Sequence, residues 1–223
     1  MQTGARLVFM KNNFKIAIKS CHKYPERRAA QMDTWLKGID EDFFFLMGDP
    51  VPTGGRDMLY CRCSDAFADI APKILCACRY ALEENTPYLF VCDDDTYVCM
   101  ERLRRSNFWR GDYIGFMRTD TNPSQNLGIP YAQGSAFWLS ARSMEWICRN
   151  EHLMRPGVID DGAVGQCLVD KVPFTHDYRY EPGPNPMNER GWRTPMPNNN
   201  IISAHKCSPV QMLMAHNLWL QRV

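Results

Sequence analysis

Tyr88-Leu-Phe-Val-Cys-Asp-Asp-Asp-Thr-Tyr-Val98 joins five apolar residues to three consecutive acids. A short apolar run bounded in this way reads as a buried strand. Asp93, Asp94 and Asp95 then leave the core together at a strand's carboxyl end. Carboxylates this close raise one another's pKa unless a cation or water offsets the repulsion. Oxygen ligands at a strand tip, with room for water and phosphates, suit Mg²⁺ or Mn²⁺ better than a thiolate-seeking metal. An acidic surface turn is the plain alternative.

The elements on either side place this strand in an α/β fold. Phe14 to Lys19 alternates apolar and charged residues and reads as the first strand. Pro25 and Gly38 bracket a helix from Glu26 to Lys37. Phe43 to Met47 and Met58 to Cys61 read as further strands. Pro72 opens a second helix, with Ile74, Leu75, Cys78, Ala81 and Leu82 at helical spacing, that ends near Asn85-Thr-Pro87. Downstream, Asp112 to Phe116 reads as a strand, Thr119 to Pro130 as a loop and Tyr131 to Leu139 as another strand. Ala141 to Arg149 and Asp161 to Leu168 read as helices, and Ser208-Pro209 starts a last helix to about Gln221. Alternating strands and helices predict a Rossmann-like, mostly parallel twisted sheet covered on both faces. Such a sheet binds ligands outside its strands' carboxyl ends.

The chain has 223 residues, is 45% hydrophobic and carries a formal net charge of +1. That is enough for one large core, and a single domain is expected, with residues 1–13 as an N-terminal extension. Mixed charges give no footprint for nucleic acid. No signal or membrane-spanning segment is encoded, which predicts a cytoplasmic protein, or one of the Golgi lumen if the sequence is a trimmed catalytic domain. The ten cysteines, with Cys61/Cys63 and Cys76/Cys78 spaced i, i+2, read as buried free thiols, with a few lumenal disulfides as the rival and zinc disfavoured.

Other polar outliers carry two readings each. Asp160 and Asp161 start a helix, where an acid caps free N–H groups; one can cap while the other faces a ligand. Gly134 and Ser135 either let backbone approach a ligand or mark a bulge. His205 is a metal-ligand candidate or a structural histidine. Arg27, Arg28 and Lys73 suit a diphosphate or a solvated helix face. Trp109, Trp138 and Trp192 suit sugar stacking or core packing. The Pro- and Asn-rich stretch 181–200 is an irregular loop, either ordering on substrate binding or static.

Together these segments resemble the fringe-like and β1,3-glycosyltransferases of family 31, enzymes of the GT-A fold. Glu26-Arg-Arg-Ala-Ala-Gln-Met-Asp-Thr-Trp35 is similar to the family's Arg-rich helix, and Asp93-Asp-Asp-Thr-Tyr-Val98 to its aspartate motif. Lys73 stands where a donor-contacting lysine does in the fringe branch. Tyr131-Ala-Gln-Gly-Ser-Ala136 is similar to the Gly-rich acceptor-side segment, Ile159-Asp-Asp-Gly162 to the acidic motif, and His205 holds the place of the terminal metal histidine. Gly162 and Gly134-Ser135 depart from the family's usual Val or Cys and Gly-Gly.

The resemblance implies an inverting transfer of a sugar from a UDP-sugar donor to a hydroxyl of a glycan acceptor, with galactose favoured and N-acetylglucosamine also fitting. It implies Mn²⁺, or Mg²⁺, on Asp95 and His205, and Asp93 or Asp94 on the ribose or a bound water. Arg28 and Lys73 would meet the diphosphate, Ser20 and Cys21 line the donor pocket, and Gly134, Ser135 and Asp160 lie on the acceptor side. Asp161 would be the general base. The rival readings are a metal-dependent nucleotidyltransferase or phosphoesterase, which would use two metals, and a carbohydrate-binding module without chemistry.

Overall fold

β1 (Phe14–Lys19) is an interior strand of a seven-stranded sheet and pairs in parallel with β2 (Asp42–Asp49) on one side and β4 (Tyr88–Asp93) on the other. The computed structural model describes residues 13–49, 57–119, 128–180 and 200–220. Residues 1–12 of the expected extension, 120–127 of the first expected loop and 181–199 of the second, with Trp192, fall outside the described residues. β3 (Met58–Ser64) extends the parallel half beyond β2. On the other flank β7 (Tyr131–Ser140) runs antiparallel to both β4 and β6 (Tyr113–Arg118), and β8 (Phe174–His176) pairs in parallel with β6. The order is β3-β2-β1-β4-β7-β6-β8. The mostly parallel α/β sheet read from the sequence is present, with β7 as its one reversed strand.

Burial on both faces explains why the strands read as nearly continuous apolar runs. Phe14, Ile16, Ile18, Phe90 and Trp138 fill one face, where α1 (Pro25–Asp33) and α6 (Pro209–Leu220) pack. Trp138 is fully buried, stacks on Phe108 at 4.2 Å and donates to the Tyr180 hydroxyl at 2.7 Å. It is therefore a core residue and does not face a sugar. Ala17, Leu89, Val91 and Phe137 fill the other face under α2 (Ile70–Glu83), α4 (Ala141–Arg149) and α5 (Asp160–Leu168). No disulfide joins any of the ten cysteines.

Several boundaries have local causes. α1 starts with Pro25 in its first turn but ends at Asp33, a turn before Lys37. Thr34 Oγ1 donates back to the Ala30 carbonyl at 2.6 Å, and the chain turns so that Trp35 and Leu36 are buried. α2 begins two residues before Pro72, which is tolerated because first-turn N–H groups lack helical partners. Its end is marked by Asn85 in a left-handed conformation. Ser140 caps α4 by accepting the Ser143 N–H at 3.2 Å. A two-stranded ribbon of β5 (Tyr97–Val98) and β9 (Ser203–Ala204) ties the segment after the aspartates to the segment before His205. α3 (Met100–Arg104) follows β5.

Candidate active site

Parallel strands β1 and β4 end side by side, with Lys19 in register with Asp93. That pairing opens a cleft of about 800 Å³ at the carboxyl ends of the strands. Of the residues expected from the sequence, Ser20, Cys21, Lys73, Asp93, Asp94, Asp95, Gly134, Ser135, Asp160, Asp161 and His205 all line it. Arg28 does not. Its guanidinium donates to Ser20 Oγ at 3.2 Å and to the Cys21 carbonyl, bracing the turn after β1, while its neighbour Arg27 reaches the cleft.

The three aspartates separate. Asp94 turns away from the other two: its oxygens accept from Ser20 Oγ at 2.7 Å and from Arg27 at 3.0 Å. Burial raises its pKa against the pull of those two partners. Asp93 and Asp95 instead face His205, whose Nε2 lies 3.3 Å from Asp93 Oδ2 and 3.2 Å from Asp95 Oδ1. Gln31 on α1 holds the aspartate turn from beneath, donating to the carbonyls of Asp93 at 3.2 Å and Thr96 at 3.0 Å.

This trio fits a divalent cation. One ligand atom from each of Asp93, Asp95 and His205 falls within 4.8 Å of the others. Asp95 Oδ1 is buried and makes no hydrogen bond despite its short approach to His205, so the contact has the distance but not the alignment of one. A buried carboxylate oxygen without a donor is costly, and a metal ion would satisfy it. Two oxygens and an imidazole nitrogen suit Mn²⁺ or Mg²⁺ with water and phosphate completing the shell. Burial opposes the charge on each group, yet Lys19 and His205 hold the Asp93 carboxyl down to about 2, and Asp93 and Asp95 push the His205 imidazole up to about 9.

Across the cleft, the start of β7 meets the start of α5. Asp160 is buried and pairs with Lys19 Nζ at 2.6 Å, while Lys19 also holds Asp93 Oδ1 at 2.9 Å. Asp161 makes no ion pair among the described residues. Its Oδ2 accepts the Gly134 N–H at 3.2 Å and its Oδ1 the Gly162 N–H at 2.8 Å. Burial, then the neighbouring Asp160 charge, raise its pKa to about 6. A side chain at Gly134 would put its Cβ 3.1 Å from Lys19 Nζ and 3.2 Å from Asp160 Oδ2, which explains glycine there: backbone and charge pair share one small volume. Gln133 Oε1 and Ser135 Oγ, both buried beside it, have no hydrogen-bond partner among the described residues.

Three contributors escape a reading of the sequence. Lys19 looks like the charged face of an alternating strand, and only the pairing of β1 with β4 reveals its role. Asp65, after β3, accepts from Lys73 Nζ at 2.5 Å, from the Gly48 N–H at 2.7 Å and from the His22 N–H. Burial disfavours its charge, but these donors outweigh it and keep its pKa low. Lys73 is thereby fixed, with its remaining bond to the Ser20 carbonyl at 2.8 Å. Tyr24 lies under the Arg27 guanidinium at 4.0 Å from the ring centre and lines the same cleft.

A Fringe-like family model matches residues 10–108. The resemblance read from the aspartate motif and the Arg-rich helix is borne out over that stretch, which runs from before β1 through α3 and carries Lys19, Lys73 and the three aspartates. That match suggests glycosyltransferase activity in general terms. A comparison with curated proteins gives no match. Among the described residues no helix is long and apolar enough to cross a membrane.

Proposed function

We propose that this fringe-like chain is a metal-dependent inverting glycosyltransferase of the β1,3 type, acting on a UDP-sugar, with galactose the favoured sugar, and on a glycan hydroxyl. The observation that carries this reading is the opposition, across one cleft, of a cation-fitting trio (Asp93, Asp95, His205) and an unpaired carboxylate of raised pKa (Asp161). One flank suits a departing diphosphate and the other an incoming hydroxyl.

Asp93, Asp95 and His205 would hold Mn²⁺ or Mg²⁺. When bound, the ion supplies positive charge against the leaving diphosphate. Lys73 presents an ammonium near the turn after β1, and Arg27 presents a second cation at the cleft wall, both suited to phosphate oxygens. The orphaned Gln133 and Ser135 atoms would orient sugar hydroxyls.

Asp161 takes the proton of the attacking hydroxyl. An alcohol is a weak nucleophile at neutral pH, and removing its proton as it attacks typically contributes about 10²- to 10⁴-fold. A carboxylate of pKa near 6 is mostly ionised at pH 7 yet a stronger base than an ordinary aspartate. Each oxygen accepts one backbone N–H and keeps a lone pair for the substrate. Attack from the Asp161 flank on a sugar whose diphosphate sits at the trio gives inversion.

A panel of nucleotide sugars tests this, scored for Mn²⁺-dependent thermal shift and for transfer or slow hydrolysis. Stabilisation and turnover with one UDP-sugar are expected. Turnover of a nucleotide carrying no sugar would instead identify a phosphoesterase or nucleotidyltransferase, and a shift with free glycans alone would identify a binding module.

A further inference from the structure

We propose that Lys19 is a positioning residue that joins the two flanks of the cleft: it neutralises Asp160, fixes the orientation of Asp93, and so leaves Asp161 as the proton acceptor. The inference rests on the proposed role of Asp161. Lys19 ends β1, where the register sets it beside Asp93, and it is only 5% exposed. Its ammonium bonds Asp93 Oδ1 at 2.9 Å and Asp160 Oδ2 at 2.6 Å, two carboxylates from distant parts of the chain. Asp93 thus divides its oxygens, Oδ1 to Lys19 and Oδ2 toward His205.

Asp160 and Asp161 are chemically identical neighbours at the start of one helix, and position decides which is free to act. Asp160 is held by a buried cation and is bound to its ion pair. Among the described residues Asp161 receives only backbone N–H groups. The groups facing Asp161 are Asp160 from α5, Lys19 from β1 and the phenol of Tyr113 from β6, whose hydroxyl accepts the Ala132 N–H at 2.8 Å. Lys19 is the one cation in that set, and it offsets the Asp160 charge that would otherwise disfavour ionisation of Asp161. Gly134 leaves the room that this arrangement needs.

The test is a ¹³C NMR titration of the aspartate carboxyls in the full chain with Mg²⁺ present, comparing the parent with Lys19→Met, Asp160→Asn and the double variant. Lys19→Met is expected to raise the Asp161 midpoint by about one pH unit, because the neighbouring anion is uncovered. Asp160→Asn is expected to lower it, and the double variant to return it close to the parent value. If Lys19→Met does not fold, the opposite-signed step from Asp160→Asn to the double variant carries the same test. An Asp161 midpoint that ignores both steps overturns the proposal. The titration needs no turnover: failure to transfer any sugar would sink the glycosyltransferase reading while leaving these midpoints to decide the role of Lys19.

Discussion

Asp161 accepts the Gly134 N–H at 3.2 Å, so the acid at the start of α5 is aimed by the backbone of β7 rather than by a side chain. A carboxylate oriented this way keeps its direction when nearby side chains are changed. Asp161→Asn preserves the shape and removes the base. Turnover should fall about 10²- to 10⁴-fold with donor affinity retained. Calorimetric titration of the UDP-sugar into the variant checks this, and a lost donor affinity would move Asp161 to the donor side.

The same residue predicts a conflict between stability and activity. Its carboxyl titrates at about 6 in the folded chain, above the ordinary aspartate value of 3.8, so the folded state binds more protons than the unfolded state between those values. Stability therefore falls as pH rises through that window, and the full cost is present at pH 7. Asp161→Asn should stabilise the protein at pH 7 by roughly 1–3 kcal/mol and by almost nothing at pH 4. Urea unfolding at the two pH values measures it. The transfer rate of the parent should show the complementary behaviour, dropping as pH falls through about 6.

Asp95→Ala and His205→Ala each remove one member of the trio. Both should abolish the Mn²⁺-dependent part of donor binding while leaving the fold intact, since neither side chain belongs to the apolar core. Isothermal titration with and without Mn²⁺ reads this out. Normal Mn²⁺-dependent affinity in the Asp95 variant would refute the metal assignment.

Buried Lys73 pairs at 2.5 Å with the partly exposed Asp65. Removing the lysine leaves that carboxylate with only backbone N–H groups as hydrogen-bond donors, at a cost of about 1–3 kcal/mol. Lys73→Met should destabilise the chain by that order, and adding Asp65→Asn should recover much of the loss. A loss below about 1 kcal/mol in the single variant would show that water already screens the pair.

Arg27 and Arg28 are adjacent on α1 but serve different partners. Arg27→Ala should weaken UDP-sugar binding roughly tenfold, equivalent to about 1.4 kcal/mol, and should also cost stability, because buried Asp94 is left with Ser20 as its side-chain partner. Arg28→Ala should shift the unfolding midpoint more than the affinity, because its bonds go to the turn after β1. Equal effects of the two on donor affinity would argue against this division.

Much of this arrangement was legible in the sequence, for identifiable reasons. Pro25, Pro72 and Ser208-Pro209 are strong local start signals, and all three helices begin within two residues of them. The apolar run before Asp93 ends where β4 ends, give or take one residue. The split of the aspartates was not legible: the resemblance groups Asp93 with Asp94 on the donor, whereas the turn after β4 sets Asp93 and Asp95 together at His205 and Asp94 apart. What local pattern cannot carry is pairing over distance. The direction of β7, the meeting of Lys19 with Asp160 and the capture of Lys73 by Asp65 each depend on elements brought together only by the sheet. The early end of α1 was hidden because Trp35 and Leu36 prolong an apolar pattern that the chain satisfies by turning.

The reversal of β7 has one more consequence. β1 and β4 bring their last residues to the cleft, whereas β7 brings its first, so the site is assembled from two blocks of chain that scarcely interleave. Side chains drawn from Lys19 to Asp95 form one wall, and side chains drawn from Gln133 to Asp161 form the wall opposite. Between them the shared parts are the Lys19 bridge and the ribbon that returns His205. On the proposed reading, a new acceptor would be accommodated by substitutions in the second block, with the nucleotide's berth left unchanged. Preference for what receives the sugar and preference for what supplies it would then be separately evolvable traits.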